Sequence, residues 1–379
     1  MIILRRTWLM ALALSLAFAF SLSNGLGSVA YGSEIVSHDL ESPSIAKNMM
    51  GISSLRHIEV YLPDGYEERN QRYPVLYWIP GYKENAGASL YRNALDDAIQ
   101  SGKIPQTIAV FIDVHEGTYF LNSPVFGNWE DFIISEVIPF IDKTYRTIPD
   151  MQARGLMGHS VGGYSALMLP IRHPGIWGGI GANDASIWAM WYVLHDEADF
   201  PELLKPHFFV VRWVIQNLPK DFEEYASVDW KIEALIQLGT AFSPNPNKQL
   251  FCDFPISSEG EWVPEVREKW SAYDLTNPQT LIEHGETLNS LLSITLVVPE
   301  TVNIDENNRV SNIHLIERLQ EAGVYVTRLD MPGGHIDFGQ ERFIALAEQL
   351  LGAMLRVTTS VSSRGKIAAL WGKIKNSNL

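Results

Sequence analysis

A glycine-flanked serine in the middle of the chain has the spacing that nucleophilic catalysis requires. The motif Gly-His-Ser-Val-Gly occupies residues 158–162, between a short apolar segment at 155–157 and a helical pattern at 160–173 that Pro174 terminates. A nucleophilic serine must project from a tight, strained turn between a strand and a helix, and small neighbours leave room for it. We therefore predict that Ser160 is a nucleophile. The competing interpretation is a turn that only connects a strand to a helix.

A histidine near the end of the chain is the candidate base. His335 closes the segment Met-Pro-Gly-Gly-His at 331–335, directly after the last predicted strand. In sheets of parallel strands, functional groups lie on loops at the carboxyl ends of the strands. His284 precedes the strand expected to supply the acid, His314 is predicted on a helix surface, and His159 projects to another side of the serine turn. The pattern favours His335 as the group that takes the proton from Ser160, over a purely structural histidine.

The acid that orients this histidine is expected between the serine and the histidine in chain order. It should follow the strand predicted at residues 291–298, where Glu300, Asp305 and Glu306 are the available carboxylates. We predict Asp305, because it directly precedes the helix predicted from Arg309. Glu300 is the main alternative, and any of these carboxylates could instead be a solvated loop residue.

Two backbone N–H groups are candidates for holding an oxyanion. Val161 follows the serine at the positive end of a helix. The second donor should come from the turn after the strand at residues 75–79, where Pro80 has no N–H to donate. We predict the Tyr82 N–H, with Gly81 allowing close approach of the backbone. An ordinary turn at the end of a strand is the competing interpretation.

Apolar segments that alternate with helical patterns surround these residues and predict a mostly parallel sheet flanked by helices. Together with the Gly-His-Ser-Val-Gly motif between a strand and a helix, this pattern predicts the α/β-hydrolase fold. We expect a leader at 31–54, a catalytic domain at 55–355 and a tail at 356–379. The predicted strands are residues 58–62, 75–79, 107–114, 155–157, 177–182, 291–298 and 324–329, and the predicted helices are 130–145, 160–173 and 309–322.

Residues 186–290 depart from this rhythm and predict a mainly helical insertion. The segment is rich in aromatic residues and begins just after the strand predicted at residues 177–182. Aromatic side chains offer a large contact area at low entropic cost. We expect the insertion to form a cap whose Trp188, Trp191 and Trp213 contribute to a substrate pocket. The alternative is that these aromatics only attach the insertion to the domain.

The N-terminal 30 residues have the pattern of a secretory signal. Arg5 and Arg6 precede an apolar stretch at residues 9–20, and Ser-Val-Ala at 28–30 offers a cleavage site. We therefore expect a secreted or periplasmic protein. Association with a membrane is expected only if this segment stays uncleaved, and the apolar stretch is short for a span.

Composition excludes several classes of function. The 379 residues carry a formal net charge of −15, which argues against nucleic-acid partners because binding phosphates requires basic surface. Hydrophobic residues make up 46% of the chain and predict a large core. The single cysteine, Cys252, has no nucleophile motif around it. No residue cluster has metal-ligand spacing, so we expect neither a metal nor an organic cofactor.

Taken together, these motifs resemble the esterase D-type "putative esterase" family of α/β hydrolases, which includes S-formylglutathione hydrolases, feruloyl and acetylxylan esterases, enterochelin esterases and mycolyltransferases. The resemblance covers about residues 55–185 and 290–350. It is carried by residues 73–82, Asn-Ser-Pro at 122–124, Gly-Asn-Trp-Glu at 127–130, residues 136–142, residues 158–164 and Pro-Gly-Gly-His at 332–335.

The resemblance implies a serine esterase that acts through an acyl-enzyme on Ser160, with His335 as base and Asp305 where the family acid usually lies. Departures from the family pattern are Pro80, residues 336–338 after the histidine, and the length of the insertion. The expected substrate is a small-molecule, carbohydrate or lipid ester. An acyltransferase with a sugar or lipid hydroxyl as acceptor, and a binding protein without catalysis, remain alternatives.

Overall fold

The site is built on a sheet whose parallel strands end at a common edge. The computed structural model of the protein describes residues 32–82, 84, 87–113, 119–187, 216–219, 230–257, 259, 261–301 and 306–362. Within these residues, eight strands form one sheet: β1 (Glu34–Glu41), β2 (Leu55–Leu62), β3 (Val75–Ile79), β4 (Ile108–Ile112), β7 (Arg154–His159), β8 (Gly179–Asn183), β9 (Ser293–Pro299) and β10 (Thr327–Met331). Their order in the sheet is β1-β2-β4-β3-β7-β8-β9-β10. A separate two-stranded ribbon pairs β5 (Asn122–Ser123) with β6 (Gly127–Asn128).

The central strands are parallel and buried on both faces. β4, β3, β7, β8, β9 and β10 pair in parallel, and every residue of β3, β4 and β8 is buried. Near-continuous apolar strands of this kind form because helices cover both faces of the sheet. Their carboxyl ends therefore meet at one edge, and the predicted parallel sheet is confirmed.

The expectation that residues 31–54 are a patternless leader is wrong in part. Glu34–Glu41 forms β1, which pairs antiparallel to β2 from Glu34 opposite Leu62 to Glu41 opposite Leu55. β1 is an edge strand with no fully buried residue, so its sequence lacks the apolar run that identifies a central strand.

Helices cover the sheet on two sides. They are α1 (Ala88–Gln100), α2 (a helical run through Trp129–Asp131, the π-helical turn Phe132–Val137 and Ile138–Thr144), α3 (Val161–Arg172), α4 (Trp230–Phe242), α5 (Pro264–Ser271), α6 (Pro278–Asn289), α7 (Glu306–Glu321) and α8 (Gly339–Ser362). On one face α1 and α8 pack together against buried aromatics of the sheet, including Trp78 and Phe111. On the other face α3, α6 and α7 pack in a second core that contains Leu167 and Leu315.

The predicted insertion is described only in part. Within residues 186–290, the described segments contain the helices α4, α5 and α6. At the other boundary, α8 continues to Ser362, past the expected end of the catalytic domain at residue 355. Among the described residues, no helix is sufficiently long and apolar to span a bilayer.

Candidate active site

Ser160 sits on a sharp turn between β7 and α3. Its backbone has φ 54° and ψ −116°, a left-handed conformation that a residue with a Cβ rarely adopts. A Cβ on Gly158 would lie 2.2 Å from the Gly162 carbonyl oxygen, and one on Gly162 would lie 2.1 Å from that of Ile79. Both positions therefore require glycine, and the turn has the geometry of a nucleophile elbow.

The serine belongs to a linear array of three polar side chains. His335 Nε2 lies 3.0 Å from Ser160 Oγ, and His335 Nδ1 lies 2.6 Å from Asp184 Oδ2. Because the carboxylate only accepts, the ring proton is on Nδ1, and Nε2 is left to accept a hydrogen bond from the serine hydroxyl. The Asp184 side chain is 2% exposed and that of His335 16%. The structure thus brings the predicted nucleophile and the predicted base together.

The predicted acid needs correction. Asp184 occupies the hydrogen-bonding position at His335 Nδ1. Asp305 itself lies outside the described residues, and the alternative Glu300 has an exposed side chain. The physical reason is strand order: β8, which Asp184 follows, lies directly beside β7, whereas β9 is one strand farther from the serine. The sequence signal was an aspartate just after the strand predicted at residues 177–182 and before the predicted insertion, and it was not considered as the acid.

Hydrogen bonds to β9 and to α7 fix the backbone at Asp184 and Ala185. Its backbone has φ 43°, and its N–H donates to the carbonyl of Val297 in β9 at 3.1 Å. The fully buried side chain of Asn312, in α7, forms two hydrogen bonds with the backbone of the next residue, Ala185. The Asn312 amide oxygen accepts the Ala185 N–H at 3.1 Å, and its NH₂ donates to the Ala185 carbonyl at 2.8 Å. A strained aspartate fixed in this way keeps its carboxylate directed at the histidine.

The loop that carries His335 is fixed by a buried arginine. Arg342, at the start of α8, is fully buried and donates to the carbonyls of Pro332 at 2.6 Å and Gly334 at 2.8 Å. On the other side of the loop, the Thr301 N–H donates to the Gly333 carbonyl at 3.1 Å. Neither Asn312 nor Arg342 was predicted, because each acts through backbone atoms of another segment.

A second histidine lies beside the array. The His159 ring centroid is 4.7 Å from that of His335. His159 Nδ1 lies 2.9 Å from Glu84 Oε1, and His159 Nε2 lies 2.9 Å from the His335 carbonyl oxygen. Burial alone would raise the pKa of Glu84, but the hydrogen bonds from His159 and the Gly81 N–H outweigh burial and hold that pKa below its ordinary value. Glu84 was another residue that the sequence did not reveal.

The two predicted oxyanion donors lie on the turns that follow β7 and β3, which are neighbouring strands. Val161 is the first residue of α3, where backbone N–H groups point out of the helix. Tyr82 follows Gly81, whose own N–H donates to Glu84 Oε2 at 2.6 Å. The Tyr82 N–H is therefore the next donor on the turn after β3, and its hydroxyl lies 3.5 Å from the amide nitrogen of Gln237 in α4.

A cavity of about 670 Å³ adjoins His159 and His335. Buried Trp78 and Tyr91 line its inner side. Its rim carries three exposed apolar side chains: Leu90 (58% exposed), Ile336 (80%) and Phe338 (47%). Exposed apolar groups that gather at the mouth of a cavity are typical of a ligand-binding surface.

The remaining predictions concern the pocket tryptophans, the cysteine and a metal site. The pocket candidates Trp188, Trp191 and Trp213 lie outside the described residues. Cys252 is buried, and burial raises the pKa of its thiol, which disfavours a reactive thiolate. In the described part of the chain, no group of three or more metal-ligating side chains could hold a metal ion.

Comparison with known proteins identifies several whose sequences are similar to this chain. A feruloyl esterase that is also an endo-1,4-beta-xylanase, from Xylanibacter ruminicola, is 30% identical over 202 residues, covering 48% of this chain and 26% of that protein. An esterase of Mycobacterium tuberculosis is 30% identical over 123 residues, covering 31% of this chain and 26% of that protein. The chain therefore matches about a quarter of the length of each of these two relatives.

Solved structures extend the similarity to the whole fold. A ferulic acid esterase superposes with a TM-score of 0.55 at 20% identity, covering 86% of this chain and 99% of that chain. An S-formylglutathione hydrolase from Staphylococcus aureus superposes with a TM-score of 0.52 at 12% identity, covering 84% and 99%. At these identities the likeness establishes the α/β-hydrolase fold. The profile of the family described as "Putative esterase" matches residues 51–296, and this chain belongs to that family.

Proposed function

We propose that this protein is a serine carboxylic-ester hydrolase that forms an acyl-enzyme on Ser160. The observation that carries the proposal is the array from Ser160 through His335 to the buried carboxylate of Asp184, with distances of 3.0 and 2.6 Å. Membership of an esterase family supports the same reaction. A serine hydroxyl becomes an effective nucleophile when an oriented imidazole accepts its proton.

In the proposed reaction, Ser160 Oγ attacks the ester carbonyl carbon while His335 Nε2 takes the hydroxyl proton. Asp184 holds the imidazole tautomer and stabilises the imidazolium that forms. The N–H groups of Val161 and Tyr82 stabilise the oxyanion of the tetrahedral intermediate. His335 then returns the proton to the departing alkoxide, and a water molecule that the same histidine deprotonates releases the acid and regenerates Ser160.

The substrate proposed is a small-molecule or carbohydrate-linked ester with an apolar group. The apolar rim of Leu90, Ile336 and Phe338, beside His335, supports this class. A relative named as a feruloyl esterase points in the same direction, because a feruloyl group is aromatic. We propose that the apolar group of the ester enters the 670 Å³ cavity.

Two measurements test the proposal. A fluorophosphonate probe should label wild-type protein at Ser160, because only an activated serine reacts, and should not label Ser160→Ala. Hydrolysis of p-nitrophenyl esters with added alcohols then separates hydrolysis from transfer: free acid as the main product supports a hydrolase, whereas a new ester as the main product would identify an acyltransferase. Lack of labelling of the wild type would contradict the proposal and favour a binding protein.

We further propose that the protein is exported through its N-terminal segment. The support is the sequence pattern alone, two arginines followed by an apolar stretch and small residues at 28–30. Expression of the full chain, followed by N-terminal sequencing of the product outside the cytoplasm, tests this. Retention of the intact segment on a cytoplasmic product would contradict it.

A further inference from the structure

Glu84 and His159 form a bridge between two loops of the site. One carboxylate oxygen of Glu84 accepts the Gly81 N–H at 2.6 Å, and the other faces His159 Nδ1 at 2.9 Å. On the far side of the ring, His159 Nε2 faces the His335 carbonyl oxygen at 2.9 Å. A Cβ on Gly81 would lie 3.0 Å from the Glu84 carboxyl group and 3.1 Å from His159 Nδ1, so glycine allows the backbone to approach the pair.

Both partners of the His159 ring are hydrogen-bond acceptors, a carboxylate on one side and a backbone carbonyl on the other. The ring therefore connects two groups that have no direct contact with each other. The His159 side chain is 7% exposed and that of Glu84 39%, so the bridge is only partly screened by water.

The loops that this bridge joins are not held together by the sheet. Gly81 follows β3, a direct neighbour of β7, whereas the His335 loop follows β10, three strands from β7 on the other side. This loop must cross the ends of β9 and β8 to reach Ser160. The bridge links its backbone at His335 to the peptide that immediately precedes the Tyr82 N–H, through the residue that directly precedes the nucleophile.

We propose that Glu84 and His159 are a positioning pair that fixes the loop of the proposed oxyanion donor Tyr82 relative to the base His335. The inference rests on the proposed function of Ser160 and His335. In a preorganised site, a displacement of about 1 Å costs on the order of 100-fold in rate, so a linker between donor and base has a direct effect on catalysis.

Three substitutions of Glu84 separate the effect of its side-chain length on kcat from the effect of its charge. In Glu84→Gln, the amide oxygen can accept the Gly81 N–H and the NH₂ can reach His159 Nδ1, so the bridge persists without the charge. In Glu84→Asp, the charge persists but the side chain is one methylene too short to span both contacts. Glu84→Ala removes the bridge. We expect kcat on p-nitrophenyl acetate to fall about 10- to 100-fold in Glu84→Asp and Glu84→Ala, and to stay within about threefold of wild type in Glu84→Gln.

The rates must be counted per active serine. Exhaustive labelling with a fluorophosphonate gives the fraction of sites that are folded and competent. A purely structural role would lower this fraction and leave kcat per labelled site unchanged, whereas a positioning role lowers kcat per labelled site with KM within about threefold. Glu300→Ala, which removes an exposed carboxylate near the same edge of the sheet, is the matched control and should match wild type.

The proposal is overturned if Glu84→Asp retains wild-type kcat per labelled site, or if Glu84→Gln loses as much as Glu84→Asp. Failure of the proposed function is distinct from these outcomes, because wild-type protein would then not be labelled at all.

Discussion

Helix α3 has a carboxylate–histidine pair at each of its ends, and the two pairs differ in what surrounds them. Before the helix, His159 contacts Glu84 at 2.9 Å, and after it, His173 Nε2 contacts Glu130 at 2.7 Å. Arg172 adds two further contacts to Glu130, at 2.9 and 3.0 Å. The same two residue types therefore occur beside the candidate active site and at the opposite end of the same helix.

The difference lies in burial and in the third partner. The Glu130 side chain is 2% exposed and also accepts the Asn122 N–H at 3.1 Å, so it ties α2, α3 and the β5–β6 ribbon together. Glu84 is 39% exposed, and its pair contacts the backbones of Gly81 and His335. A buried, fully hydrogen-bonded carboxylate supports the fold, whereas a partly exposed one between functional loops affects the geometry of a reaction. Substitutions at the two ends of α3 should consequently separate activity from stability.

The largest effect is expected at the catalytic end of the helix. Ser160→Ala should reduce kcat/KM on p-nitrophenyl acetate at least ~10³-fold, because no other group can form the acyl-enzyme. Thermal unfolding should change little, since the serine turn depends on Gly158 and Gly162 rather than on the hydroxyl. Steady-state kinetics and calorimetry check this. Activity within tenfold of wild type would remove Ser160 from the mechanism.

A nearly equal loss of activity is expected on substitution of Asp184, the proposed acid. Asp184→Asn should reduce kcat about 10³-fold or more, because an amide cannot stabilise the imidazolium and favours the wrong tautomer of His335. Glu300→Ala is the control and should retain wild-type activity. The comparison is made on protein normalised by active-site titration. A small effect in Asp184→Asn together with a large one in Asp305→Asn would restore the acid predicted from the sequence.

At the opposite end of α3 we expect loss of stability without loss of chemistry. Glu130→Gln breaks an ion pair in which the carboxylate is buried and Arg172 is 36% exposed, which should cost about 2 kcal/mol of unfolding free energy at pH 7. Urea unfolding measures this cost. The kcat per labelled site should stay at the wild-type value, and a drop in kcat comparable to that of Glu84→Asp would erase the distinction between the two ends.

The stability difference at Glu130 should depend on pH in a defined direction. Burial alone would raise the pKa of Glu130, but hydrogen bonds from His173 and Arg172 outweigh it and hold the pKa below its ordinary value of 4.5. A carboxylate with a lowered folded-state pKa stabilises the fold above its unfolded-state pKa, and this contribution is lost as pH falls through the folded-state pKa. The difference in unfolding free energy between wild type and Glu130→Gln should thus shrink as pH falls below the ordinary carboxyl pKa of 4.5. A difference that grew as pH fell below this value would contradict this sign.

The smallest effect is expected at the rim of the cavity beside the catalytic end. Ile336→Ala should lower kcat/KM for acetate esters of aromatic alcohols by about threefold relative to methyl acetate, because an exposed isoleucine contributes apolar contact only once a ligand covers it. Ile282→Ala is a close control, since Ile282 is 72% exposed and Ile336 80%. Equal behaviour of the two variants across the ester series would remove the rim from the substrate site.

Chemical type and local pattern were enough to identify the residues at strand ends. Ser160 and His335 were predicted because each lies in a short glycine-rich motif directly after an apolar segment, and the structure places them 3.0 Å apart. The parallel sheet was predicted from its buried apolar strands for the same local reason. β1 was not predicted, because a half-exposed edge strand has no apolar run to distinguish it from a loop.

The sequence by itself determined the fold class and the candidate nucleophile and base, since these depend on patterns contained within a few residues. Only the tertiary structure decided that Asp184 is the partner of His335, because proximity there depends on which strand lies beside β7 and not on distance along the chain. The same holds for Glu84, which meets His159 across 75 residues of sequence, and for Arg342, which acts through backbone carbonyls of the His335 loop. Contacts of this kind form when the fold brings different segments together, so a local sequence pattern does not predict them.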